Sequence, residues 1–105
     1  MHQIRFALAY NNVTDVLTLI VWSEDSNGAI ENSSACTVNI YDHDGTVVLA
    51  NAAWTTAPTE NTELTWYMTK SGASAIITAG EAYYAEVALN VGGAFTRYFG
   101  FAATT

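Results

Sequence analysis

Ile77-Thr78-Ala79-Gly80-Glu81-Ala82-Tyr83-Tyr84-Ala85-Glu86-Val87-Ala88-Leu89-Asn90 is the stretch whose reading decides the fold. Gly80 supplies a sharp corner, and three residues later Tyr83 opens a run in which Tyr83, Ala85, Val87 and Leu89 share one face of a strand. A Tyr at that distance from a corner suits a tyrosine corner. There its hydroxyl turns back onto the backbone just upstream and fixes the crossing between two sheets.

The same period of two recurs on both sides of this stretch. Upstream, Ile4, Phe6, Leu8 and Tyr10 alternate with Arg5, Ala7 and Ala9. Asn11-Asn12 then predicts a tight reversal, since Asn tolerates the left-handed conformation. Val13 to Trp22 is expected to be a second strand, apolar on both faces in its later half, as in a central strand or one covered by a neighbouring subunit. Ser23 to Ala35, with Ile30 as its one large aliphatic residue, reads as a long exposed loop, either a plain connection or a partner-contact arm.

Cys36, Val38, Ile40 and Asp42 alternate with Thr37, Asn39 and Tyr41 in a third strand. It runs into Asp42-His43-Asp44-Gly45, a strong hairpin signal, with Thr46 to Asn51 as the returning strand and Gly45 in the left-handed region. Ala52 to Asn61 holds the single proline, Pro58, and is expected to be a loop or a weak edge segment. Leu64, Trp66 and Met68 oppose Thr65 and Tyr67 in a further strand that Thr69 to Gly72 ends, and Ala75 to Ala79 leads into the corner. Beyond the corner strand, Asn90 to Gly93 makes a turn. Ala94 to Ala102 then sets Phe95, Arg97, Phe99 and Phe101 against Thr96, Tyr98 and Gly100.

No segment sustains an apolar period of 3.6 residues. About seven short strands at this spacing predict an all-β fold, a single domain over 1–105 built as an antiparallel immunoglobulin-like two-sheet sandwich. A small closed barrel is the competing architecture. At 105 residues, one core buries roughly two thirds of the unfolded chain's surface and needs no staples, and the lone Cys36 permits no intrachain disulfide.

Ten acids face Arg5, Lys70 and Arg97, for a net charge of −7, so no basic surface is expected to hold nucleic acid. The acidity reads as solubility or, more sharply, as preference for a basic partner. The apolar runs are too short to span a membrane, and Met1 to Tyr10 carries its Arg inside the alternation, unlike a signal peptide. Synthesis in the cytoplasm without export is the expectation.

Chemistry is sparse. Asp42 and Asp44 lack the further oxygens of a calcium loop, because Val47, Val48 and Leu49 occupy that ground; Asp42 is expected to cap turn amides instead. Cys36 is in phase with Val38 and Ile40, as a buried thiol would be, and His2 and His43 make no zinc set with it. No catalytic residue, cofactor site or metal site is assigned. Glu86 falls on the face opposite Tyr83 and Val87, a solvated position by default. Arg97, amid phenylalanines, either stacks on rings near a sheet edge or reaches an acid across an interface. The aromatic residues, Trp54 among them, read as core or subunit-interface packing; Trp22, Trp54, Arg97, Tyr98 and Phe99 are the interface candidates, and Trp54 is also the residue a sugar-binding reading would use.

Ile77 to Tyr83 is similar to the Leu-x-Pro-Gly-x-x-Tyr corner of fibronectin type III modules, with Ala79 where that pattern has Pro. Taken with the Tyr41-Asp42-His43-Asp44-Gly45 hairpin, the run from Ala79 to Val87 and the aromatic strand from Arg97 to Phe101, the chain resembles small immunoglobulin-like modules of tailed bacteriophage virions. The resemblance implies a non-enzymatic capsid decoration or cement protein, located in the virion, that binds the major capsid protein as a homo-oligomer. A tail or baseplate adaptor is the closest alternative, and a receptor-binding or carbohydrate-binding module the next.

Overall fold

A computed structural model describes residues 2–102, apart from the side chain of Phe95. Among the described residues nine strands form in chain order: β1 (Gln3–Asn11), β2 (Val16–Glu24), β3 (Ile30–Glu31), β4 (Cys36–Asp42), β5 (Val47–Leu49), β6 (Thr56–Glu60), β7 (Trp66–Ser71), β8 (Ala82–Asn90) and β9 (Ala94–Ala102). They make two antiparallel sheets, one ordered β1-β2-β7-β6 with β3 added to β2, the other β5-β4-β8-β9. This is the sheet division of an immunoglobulin-like sandwich. The count exceeds the expected seven through β3, in a segment read as a loop, and β6, which lies at a sheet edge as one of the two readings of Ala52 to Asn61 had it.

Alternation decides what is buried. Leu17, Leu19, Val21 and Ser23 of β2 point inward, as do Cys36, Val38 and Ile40 of β4, Met68 of β7, and Tyr83, Ala85, Val87 and Leu89 of β8. β2 lies between β1 and β7, a central strand, with its inward residues buried and its outward ones half-buried.

The corner closes as its spacing demands. Gly80 adopts φ 87°, and the Tyr83 hydroxyl accepts the Thr78 N–H at 2.7 Å, fixing the turn that feeds β8. Phe101 lies against the Tyr83 ring, with centroids 5.9 Å apart. At the other hairpin, Gly45 adopts φ 86° and Asp42 Oδ1 accepts the N–H groups of Asp44 and Thr46, both at 2.9 Å. Those bonds use Asp42 as a turn cap.

Several expectations need correction. The first hairpin turns over residues 12–15 and β2 starts at Val16; the left-handed residue is Asp15, φ 55°, while Asn11 Oδ1 accepts the amides of Val13 and Thr14. Leu64, expected in a strand, instead has φ 67° in the turn before β7.

Ser23 to Ala35 is only partly a loop. Ser23 is fully buried and donates to Glu31 Oε1, Ser33 is buried and accepts the Trp66 indole N–H at 2.7 Å, and Ser34 N donates to Asn90 O. Small hydroxyls that find polar partners, here Glu31 and Trp66, can be buried without the aliphatic signal that marks a strand.

Trp54 is the largest correction. It is 5% exposed, and its indole N–H donates to Val38 O at 3.0 Å, so it fills the core under the β5–β6 connection and offers no surface to a partner. Trp54→Ala should lower unfolding free energy by about 3–5 kcal/mol, and Tyr83→Phe by about 1–2 kcal/mol, through loss of the Thr78 partner. Urea midpoints that stay at the parent value in both variants contradict this packing.

Candidate functional site

Because successive residues of β8 face opposite ways, the strand that carries the core on one side carries Tyr84 and Glu86 on the other. Register brings neighbours to them: Tyr41 of β4 lies across from Tyr84, Asn39 from Glu86, and on the far side Tyr98 of β9 lies across from Glu86. Three strands thus converge on one carboxylate.

Glu86 Oε1 accepts from Asn39 Nδ2 and the Tyr41 hydroxyl, each at 3.2 Å, and Oε2 accepts the Tyr98 hydroxyl at 2.8 Å. Tyr41 and Tyr84 stack with centroids 5.1 Å apart and 16° between planes, and Tyr84 meets Tyr98 edgewise at 6.1 Å. Tyr98 is 62% exposed, so the cluster opens to solvent. The Tyr98 hydrogen bond, with smaller help from Asn39 and Tyr41, holds the Glu86 carboxyl below the usual glutamate range against partial desolvation. Reciprocally, Glu86 raises the Tyr98 phenol by hydrogen bond and charge, and burial first and then Glu86 raise Tyr41.

A second feature lies at the open margin between the sheets. β1 and β9 edge their sheets on the same side, where Phe6 meets Phe99 with centroids 4.3 Å apart. Beyond that contact, beside the corner, a pocket of about 270 Å³ is lined by Leu8, Tyr10, Leu17, Ile77 and Phe101. Tyr10 donates to Asp15 Oδ1 at 2.6 Å, and Ser74 donates to the same carboxylate through its amide and hydroxyl, which together lower the Asp15 pKa.

Of the interface candidates, Tyr98 and Phe99 lie on opposite faces of β9. Tyr98 is in the outer cluster and Phe99 half-buried at the margin. Arg97 is exposed on the same edge strand and donates to Thr96 O at 3.0 Å. Phe95 shares its parity by register, with its side chain outside the described residues. Trp22 is half-buried on the outer face of the other sheet, where its indole N–H donates to Glu24 Oε2 at 3.0 Å and Arg5 donates to Glu24 Oε1 at 3.3 Å. These residues do not form one patch. Sequence reasoning placed Glu86 in solvent and missed its three donors; the available signal was shared parity among Tyr41, Tyr84, Glu86 and Tyr98 on adjoining strands.

Burial pushes the Cys36 thiol up to about 12, far from the thiolate range at neutral pH. Among the described residues no three His, Cys, Asp or Glu side chains converge as a metal set, and no helix is long and apolar enough to cross a membrane.

No protein-family model matches the sequence, and no curated protein matches it. Among solved structures the chain is similar to the crystal structure of a DUF4426 family protein from Pseudomonas aeruginosa PAO1. The TM-score is 0.67 at 12% identity, over 98% of this chain and 90% of that one. At such low identity the likeness concerns the fold alone.

Two outcomes test this chemistry. Glu86 ionises at lower pH folded than unfolded, so its contribution to stability is complete above the ordinary glutamate range and is lost as pH falls through the depressed folded value. The Glu86 carboxyl resonance should therefore titrate below an ordinary glutamate and move up in Tyr98→Phe; an unmoved midpoint contradicts the assignment. Iodoacetamide should modify Cys36 only in denaturant, and brisk labelling of the native protein would show that the thiol is not buried.

Proposed function

We propose that this chain is a non-enzymatic structural module that attaches to other proteins through the margin formed by β1 and β9. The observation that supports it is an asymmetry of the sheet edges. On one side, β5 is only three residues long and β6 carries Pro58, two ways of blunting an edge against further pairing. On the other side, β1 and β9 are nine residues each, free of proline, with a single charged residue apiece, Arg5 and Arg97. Half-buried Phe6, Leu8, Phe99 and Phe101 lie between them. A long, nearly uncharged edge beside apolar side chains is a template for strand addition or for a second sandwich.

In its specific form the reading is a virion decoration protein, a homo-oligomer that bridges subunits of the major capsid protein, as the likeness to phage immunoglobulin-like modules implies. Mechanistically it requires only buried area, roughly 800 Å² per partner at each contact. The net charge of −7 keeps the unattached module soluble. A tail or baseplate adaptor uses the same surface on another partner. The sugar-binding reading loses its residue, because Trp54 is in the core.

Sedimentation tests the attachment and fractionation tests the location. The parent protein should self-associate or travel with assembled capsids, and Ala7→Lys with Thr96→Lys, both at exposed edge positions, should abolish this without changing the melting temperature. A protein that stays strictly monomeric and ignores assembled shells contradicts the proposal. Recovery with tails instead of capsids transfers it to the adaptor form.

A further inference from the structure

The outer cluster gathers three neutral donors around a single carboxylate. On the pleated surface, Tyr84 and Glu86 of β8 lie across from Gly100 and Tyr98 of β9, a two-by-two block with three side chains and one empty corner. A Cβ at Gly100 would meet nothing within 4 Å, so the corner is open space beside the two rings. The carboxylate at the block's centre has about four acceptor positions. Asn39 and Tyr41 take two on Oε1, and Tyr98 takes one on Oε2.

All three donors are neutral, so the negative charge is oriented without being neutralised. Among the described residues nothing occupies the fourth acceptor position, on Oε2. Tyr98, whose hydroxyl is on that oxygen, stands beside it, with the Tyr84 ring edgewise to Tyr98 at 6.1 Å, and aromatic rings attract cations. Arg97 lies on the other face of β9 by register, with its Nη1 on Thr96 O.

We propose that this face binds a lysine side chain of a partner protein, its stem lying over Gly100 between Tyr84 and Tyr98 and its ammonium donating to Glu86 Oε2. The single open acceptor suits an ammonium, a compact point charge; a guanidinium fork seeks two parallel acceptors on one carboxylate. The chain's excess of acids over bases favours a cationic occupant in the same direction. A flat sugar platform fits less well, because Tyr41 and Tyr84 each cover one ring face of the other and the Tyr41 and Tyr98 hydroxyls are turned to Glu86. This assignment stands apart from the β1/β9 margin, and either can fail without the other.

The test is a titration of the full chain, with labelled tyrosine rings followed by NMR, using the peptide acetyl-Gly-Lys-Gly-amide. Its acetyl-lysine and arginine counterparts and cellopentaose serve as comparisons. The lysine peptide should shift Tyr84 and Tyr98 saturably, and the acetyl-lysine peptide should bind at least about tenfold more weakly, since both the charge and its ring contacts are lost.

Glu86→Gln should remove the response. Gly100→Val should do the same by filling the open corner, and a β-branched residue is at home in a strand, so spectral dispersion should be kept. Glu63→Gln, an exposed turn acid remote from this face, should leave binding unchanged. Equal binding of lysine and acetyl-lysine peptides overturns the proposal. So does a response that survives both Glu86→Gln and Gly100→Val, and so does a stronger shift with cellopentaose or with the arginine peptide.

Discussion

Strict alternation along β8 is the constraint on which the rest of the molecule depends. Tyr83, Ala85, Val87 and Leu89 are all at most 4% exposed, while Tyr84, Glu86 and Ala88 between them look out from the opposite face. A slip of one residue would exchange the two sets, sending a carboxylate into the core and a row of apolar side chains into water. Pairing over seven positions with β4 and nine with β9 excludes that slip, and the Tyr83 bond to Thr78 anchors the phase where the strand begins.

Core and surface cluster are therefore two consequences of one register. The inner face meets β2 and β7 of the other sheet. The outer face gathers Asn39, Tyr41 and Tyr98 around Glu86 because these residues hold the matching parity on strands β4 and β9. The polar face needs no buried aliphatic support of its own. Its order comes from ring stacking and from hydroxyls shared with one carboxylate, interactions of modest strength that a rigid sheet beneath them makes persistent.

Much of this is legible in the chain. The alternating runs, the Asp42 to Gly45 hairpin and the spacing from Gly80 to Tyr83 are local signals, each contained within a few residues, and together they specify a two-sheet sandwich. What escapes a linear reading depends on partners distant in the chain. Trp54 sits among small and polar residues, yet packs under Val38 because the β5–β6 connection passes from one sheet to the other beside β4. Ser23 and Ser33 look solvated until Glu31 and Trp66 are placed beside them. Glu86 reads as a surface acid because its donors are 47, 45 and 12 residues away, a separation only the sheet register removes.

The edges carry the other half of the account. Pro58 and the brevity of β5 close one side of the sandwich, while β1 and β9 leave the other side long and sparsely charged. With one blunt margin and one open margin the module offers a long free edge on one side, and the oriented carboxylate stands on a face next to that margin.

The most direct measurement of the central claim is a set of through-space proton contacts to the two adjacent tyrosines. The account predicts that the Tyr83 ring contacts Phe101 and the Thr78 amide, while the Tyr84 ring contacts Tyr41 and Tyr98. Contacts from Tyr84 to the buried side chains of Leu19 or Met68 would place β8 in the opposite phase and contradict both the fold and the site built on it.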